Sequence, residues 1–273
     1  MAENVNATNA FENVINVSVQ LPGVKVNREN FLRQIFAKYK DKNIDINKIV
    51  EKGPVAAGCD RELLKKISDG LIMERTSESS IASFCAGLPG GIAMAATIPI
   101  DLVQFFGMTL RLAQEIPYLY GADGMYDDKV LNDEKVKNQL ILYIGAMFGV
   151  EQAIKCVQIL SRQVAKTVIK ELPKKALTKT TFWYPIIKQI CKFLGIKITK
   201  ESTAKAIAKA LPVIGGVVSG ILNFASMKPL ASRLQSTLDK AAFNYTEKEM
   251  EQDIIYVTSI SQTEESEQTV SVN

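Results

Sequence analysis

Apolar side chains recur along most of this chain at three- and four-residue steps, the spacing of helices that bury one face. Phe31, Leu32, Ile35, Phe36 and Tyr39 form the first such stripe, with Asn27 placed to cap the helix that carries them. A short helix over residues 46–51 ends at Gly53-Pro54. A third, from about Asp60 to Arg75, aligns Leu63, Leu64, Ile67, Leu71 and Ile72. Ahead of these, Leu21-Pro-Gly-Val24 signals a turn. Residues 1–20 are rich in Asn and show no helical period, so they read as a mobile arm with a short strand at 14–19.

The centre of the chain is more apolar. Residues 79–100 run without a charge, and beyond Asp101 the apolar sequence continues to Leu110. That length approaches the roughly 20 residues a helix needs to cross a bilayer. Pro89 and Pro99 nevertheless break it into short pieces, and Gly87, Gly90 and Gly91 loosen it, which weighs against a full span. A second apolar block, residues 206–227, repeats the texture, with Leu211-Pro-Val-Ile-Gly-Gly216 paralleling Leu88-Pro-Gly-Gly91. Gly216 and Gly220 lie four apart, as do Gly91 and Ala95, a spacing that lets two helix backbones approach closely. A helical glycine costs about 1 kcal/mol relative to alanine, so several together predict a close helix–helix contact. The expected fold is all-α: a single compact helical domain over residues 21–245, with two central Gly-rich apolar helices packed by amphipathic ones.

Pro99 suits the first turn of a helix, and from it Asp101, Gln104, Met108, Arg111 and Glu115 fall on one sector. This candidate polar stripe calls for a polar partner, a cavity or water. Asp101 itself reads in two ways: as an acid complementing the free amides of a helix start, or as part of a buried Asp–Gln–Arg network. Gln114 with Glu115 reads as a solvated edge rather than a catalytic acid.

A polar loop after Gly121 leads into a long helical region, residues 133–172. Its first half, from Leu140 to Val150, is nearly all apolar; its second half places Lys155, Arg162, Lys166 and Lys170 across from Val157, Leu160, Val164, Val168 and Leu172. Phe182-Trp183-Tyr184-Pro185 opens another basic amphipathic piece, with Lys188 and Lys192 on one edge and Ile186, Ile187, Ile190 and Phe193 inward. The formal net charge of +4 conceals how uneven the distribution is. Residues 154–209 hold thirteen Lys or Arg against two acids, a net of +11, while the tail 246–273 has seven acids and one lysine, a net of −6. The basic stretch suits an anionic phospholipid surface, with Trp183 at the headgroup level and the lysines reaching outward. The lysines alternate with aliphatic residues and carry no nucleic-acid-binding signature, so no nucleic acid partner is expected. The Ser/Thr/Gln-rich acidic tail reads as disordered.

The chain contains no histidine, which removes Ser-His and Cys-His nucleophile pairs and histidine metal sites. It has no phosphate-cradling Gly-Lys-Ser/Thr loop, and its Gly-rich segments follow helical rather than strand-like sequence. Asp123, Asp127 and Asp128 read as an acidic turn, not a calcium loop. Cys59, Cys85, Cys156 and Cys191 are widely spaced and form no Cys-x-x-Cys pair, so they read as buried free thiols of a reducing cytoplasm. The first residues do not read as a positively charged, apolar leader with a cleavage site, so export by that route is not expected. No catalytic residue, metal or cofactor is therefore expected.

Leu21-Pro-Gly-Val-Lys-Val-Asn-Arg-Glu-Asn-Phe-Leu32, Gly53-Pro54, Ala86-Gly-Leu-Pro-Gly-Gly91, Ile98-Pro-Ile-Asp-Leu102, Gln114, Tyr118-Leu-Tyr-Gly121 and Leu211-Pro-Val-Ile-Gly-Gly216 together resemble the EcsC family, over roughly residues 21–245. That family is named for a protein encoded beside the two components of a bacterial ABC transporter, and no activity is assigned to it. The resemblance implies a bacterial, helical, membrane-associated protein, accessory to transporter components, and it carries over no catalytic residue. Asp101 matches the family's acidic position after Pro. The expectation is a non-enzymatic protein at the cytoplasmic face of the membrane, peripheral or inserted by a hairpin. The alternative is a soluble helical protein holding a lipid or other apolar ligand between its Gly-rich helices.

Overall fold

The computed structural model describes residues 2–39, 44–77, 100–126, 133–161, 180–193 and 226–270; within these, the side chains of residues 2–10, 100, 101, 133, 180–182, 184, 193 and 261–270 are not described. Among the described residues every element is helical: α1 (Ala2–Val19), α2 (Arg28–Ala37), α3 (Ile46–Lys52), α4 (Pro54–Ala57), α5 (Arg61–Arg75), α6 (Ile100–Leu119), α7 (Asp133–Met147), α8 (Glu151–Ser161), α9 (Thr180–Phe193), α10 (Met227–Asp239) and α11 (Glu247–Val270). A π-helical turn, Lys240–Asn244, follows α10. The expected all-α fold stands. The two Gly-rich blocks, with Gly87, Gly90, Gly91, Gly216 and Gly220, lie outside the described residues.

Local sequence starts the helices where it should. Asn27, Asp45 and Asp60 each turn a side-chain oxygen onto the first free amides of α2, α3 and α5, satisfying donors that have no partner within the helix. The continuous helix expected over 133–172 is divided. Gly149, with φ +79°, ends α7 in a left-handed turn: Gly149 N donates to Ala146 O and Val150 N to Gly145 O. Arg233 of α10 then takes the carbonyl of Met147 at 2.5 Å.

Helix α6 is the axis of the molecule. It packs against α1, α2, α5, α7 and α10, and from Leu102 to Leu119 every side chain is buried except those of Gln104 and Arg111, which are half-buried. A helix apolar on nearly all sides belongs inside a core.

Both ends of the chain depart from expectation. The supposed N-terminal arm is helix α1, not a strand-tipped coil. Phe11, Val14, Ile15 and Ser18 stand at i, i+3, i+4 and i+7 and are buried against α6, with the Phe11 ring edge-on to Phe106 at 5.6 Å. Burying the first three is worth about 1.5–3 kcal/mol each, enough to override the poor helix propensity of asparagine. The acidic tail, expected to be disordered, is helix α11, laid against α8 and α9. Thr246 and Glu249 start it with a reciprocal capping box: Glu249 N donates to Thr246 Oγ1 at 3.2 Å and Thr246 N to Glu249 Oε2 at 2.9 Å.

Candidate functional site

The polar stripe of α6 can be followed from its second turn onward, the side chain of Asp101 lying outside the described residues. Gln104 is half-buried and Met108 is core. Arg111 and Glu115, one turn apart, meet directly: Arg111 Nε donates to Glu115 Oε1 at 3.0 Å. The third member, which no local pattern includes, is Arg75 at the end of α5. Its Nε and Nη2 both donate to the Glu115 carboxylate, at 2.9–3.1 Å. Glu115 is only 1% exposed, while the side chains of Arg75 and Arg111 keep 18% and 28% of their surface. Arg75 also reaches Glu74 at 2.7 Å, and Glu74 takes Lys38 at 2.8 Å. Burial works against the charge of Arg75, but the hydrogen bonds and charge of Glu115, then Glu74, outweigh it and raise the guanidinium pKa. Its hydrogen bond from Lys38 holds the Glu74 carboxyl below the usual range.

Gln114 and Glu115 are therefore not a solvated edge; both are buried. On a helix enclosed on all sides, a polar side chain must find partners within the protein. Gln114 finds them in the passing backbone of residues 24–26: its Nε2 donates to Val24 O at 2.8 Å and its Oε1 accepts from Val26 N at 3.0 Å. One turn on, Tyr118 accepts from Met125 N at 3.0 Å and donates to Val26 O at 3.4 Å. Arg28 closes the knot, its Nε on Ala122 O at 2.8 Å and its Nη1 on Val50 O at 2.6 Å. Beside it Gly53 (φ +83°) passes so near Gly121 that a Cβ would sit 3.0 Å from the Gly121 Cα.

This gathers much of the resemblance into one place. The Leu21–Leu32 segment, Gly53-Pro54, Gln114 and Tyr118–Gly121 are distant in sequence and adjacent in space, and Arg28, Gln114 and Tyr118 are each spent holding backbone. The arrangement is a lock on chain geometry. Among the described residues no group of three metal-ligating side chains converges.

The candidate membrane-facing residues divide. Lys188 and Lys192 are exposed on α9, whose opposite side buries Ile186, Ile187, Ile190 and Cys191, as the periodicity requires. Trp183 does not stand outside at a headgroup level; it is 6% exposed and belongs to the core. Its place on the apolar side of α9, three residues before Ile186, is what draws it inward. Lys155 does not reach outward either. It is held by Asp253 of α11 at 2.5 Å, with Glu151 at 3.7 Å and the Tyr256 ring centroid 4.8 Å away. The hydrogen bond to Asp253 raises its pKa against partial burial. Tyr245 donates to the other Asp253 oxygen at 2.8 Å. Arg162, Lys166 and Lys170 lie outside the described residues.

The thiols of Cys156 and Cys191 are both pushed up to about 12 by burial, Cys156 also by Asp253, so neither is a ready nucleophile. No helix among the described residues is long and apolar enough to cross a membrane. Compared with known proteins, the chain matches no family model, no curated protein and no solved structure.

The residues that sequence reasoning missed were Arg28, Arg75 and Asp253. For Gln114 a signal existed: it stands one turn from both Leu110 and Tyr118, on a helix that is otherwise apolar outside the Gln104–Arg111–Glu115 stripe, so its polar groups had to be answered from within. For Arg75 and Asp253 the partners lie 40 and 98 residues away, and no local pattern announces them.

Proposed function

We propose that this is a non-enzymatic, EcsC-like bacterial protein that associates peripherally, from the cytoplasmic side, with anionic membrane surface, as an accessory to transporter components. The observation that carries this reading is the two-faced helix α9. Its apolar side is already consumed by the core, and its exposed side presents Lys188 and Lys192 within the +11 stretch of residues 154–209. A basic face on a rigid body is suited to phosphate headgroups, each lysine near an anionic surface contributing about 1 kcal/mol. The non-enzymatic part is supported by the use to which the motif residues are put, since Arg28, Gln114 and Tyr118 bind backbone and Glu115 binds two arginines.

Co-sedimentation with vesicles tests it. Phosphatidylglycerol-containing vesicles at low salt should carry the protein down, pure phosphatidylcholine should not, and Lys188→Glu with Lys192→Glu should reduce the bound fraction several-fold. Recovery of all the protein in the supernatant with both vesicle types would end the proposal.

A further inference from the structure

Helix α11 carries the acidic end of the chain, and it lies against α8 and α9, the two described helices of the basic stretch. Its hold is narrow. Of the side chains described on it, only Met250, Asp253 and Val257 are buried, and Ile255 is left 69% exposed. Asp253 is the polar centre of the contact, 11% exposed between Lys155 and Tyr245. A carboxylate clamped on a lysine, with an aromatic ring beside the ammonium, offers that lysine what a lipid phosphate would offer it. Lys240 and Glu249 pair at the near end, where the π-helical turn and extended Tyr245 join α11 to the body.

From this we infer that α11 is an internal competitor: Asp253 of the acidic helix occupies Lys155 of α8 in place of a lipid phosphate, and membrane engagement displaces it. The inference rests on the peripheral membrane reading and adds its regulation. Docked, α11 holds Lys155 against Asp253. Displaced, it frees Lys155 for a lipid phosphate and withdraws the negative charge of the acidic helix from the body of the protein. The device is intramolecular, so its strength is set by how well Asp253 fits its partners, not by how much acid the tail carries.

The full-length protein tests this with phosphatidylglycerol/phosphatidylcholine vesicles. Asp253→Asn should bind at least three-fold more tightly than wild type. Tyr245→Phe, which deletes the hydroxyl that donates to Asp253, should move binding the same way by less. Glu251→Gln removes the same charge from an exposed position and should leave binding within two-fold. In wild type, amide hydrogen exchange over residues 247–260 should rise when vesicles are added. If Asp253→Asn binds as wild type does, or if Glu251→Gln gains as much, the competitor is refuted while the membrane reading stands. Unchanged exchange in the bound protein refutes it equally. If no variant binds, the two fall together.

Discussion

Helices α6 and α11 are of similar length and are held in opposite ways. Helix α6 is enveloped: five other helices pack on it, and its polar residues are answered from within by Arg75, Arg111 and the backbone of residues 24–26. Helix α11 has three buried side chains among those described on it and begins with its own capping box. The first cannot open without dismantling the core. On the competitor proposal the second leaves while the rest of the core remains, and weakly embedded elements are where proteins place parts that move. On the proposed reading, regulation falls to α11 and stability to α6, with the resemblance motifs on the side of stability.

The largest expected effect comes from the buried carboxylate of α6. Glu115→Ala leaves two guanidiniums facing each other without their shared acceptor. It should cost about 3 kcal/mol, the low end for breaking a buried pair, because both arginines keep some solvent contact. Urea denaturation followed by helical circular dichroism should show one earlier transition for the whole protein. A variant that unfolds like wild type would break the comparison, since α6 would then be no more essential than α11.

Next is Gly53→Ala. At φ +83° a side chain is strained, and here the added Cβ would also press on the Gly121 backbone at 3.0 Å. The expected loss is about 1–3 kcal/mol, read from the same denaturation midpoint. Gly58→Ala supplies the contrast: its φ is +96°, but a Cβ there meets nothing within 4 Å, so it should lose less. Equal losses would mean that the close approach of residues 53 and 121 contributes nothing beyond backbone conformation.

The contrast also explains what could be read in advance. The stripes of α2, α5 and α9 were legible because amphipathic helices write their burial into a single period, and the cap at Asn27 was visible as a residue type. Helices α1 and α11 were not. Their composition, Asn-rich in one and acidic in the other, belongs to unfolded chain, and only tertiary contact decides otherwise. Each nevertheless carried a quiet signal: the 11, 14, 15, 18 spacing in α1 and the Thr246-x-x-Glu249 box in α11. The polar stripe on α6 was legible as a line on a helix, but its meaning depended on Arg75, which belongs to another element. Trp183 shows the same limit in reverse: an aromatic beside lysines has the look of a membrane anchor until the helix is seen to turn it inward.

The smallest effect is the most selective. Glu249 is held well below its ordinary 4.5, at about 2, first by the backbone amide of Thr246, then by Lys240 and the Thr246 hydroxyl. A depressed carboxyl stabilises the folded form fully above its ordinary range and loses that contribution as pH falls toward the folded value. The start of α11 should therefore loosen between pH 4.5 and 2. Carbon-detected magnetic resonance should place the Glu249 midpoint near 2, and Thr246→Ala, which removes the hydroxyl partner and weakens the box, should move it back toward 4.5. Across that window the helical carbon shifts of residues 247–250 should decay before those of residues 102–119. Simultaneous loss would mean that the two helices open as one unit, and α11 would then be part of the core rather than a cover laid upon it.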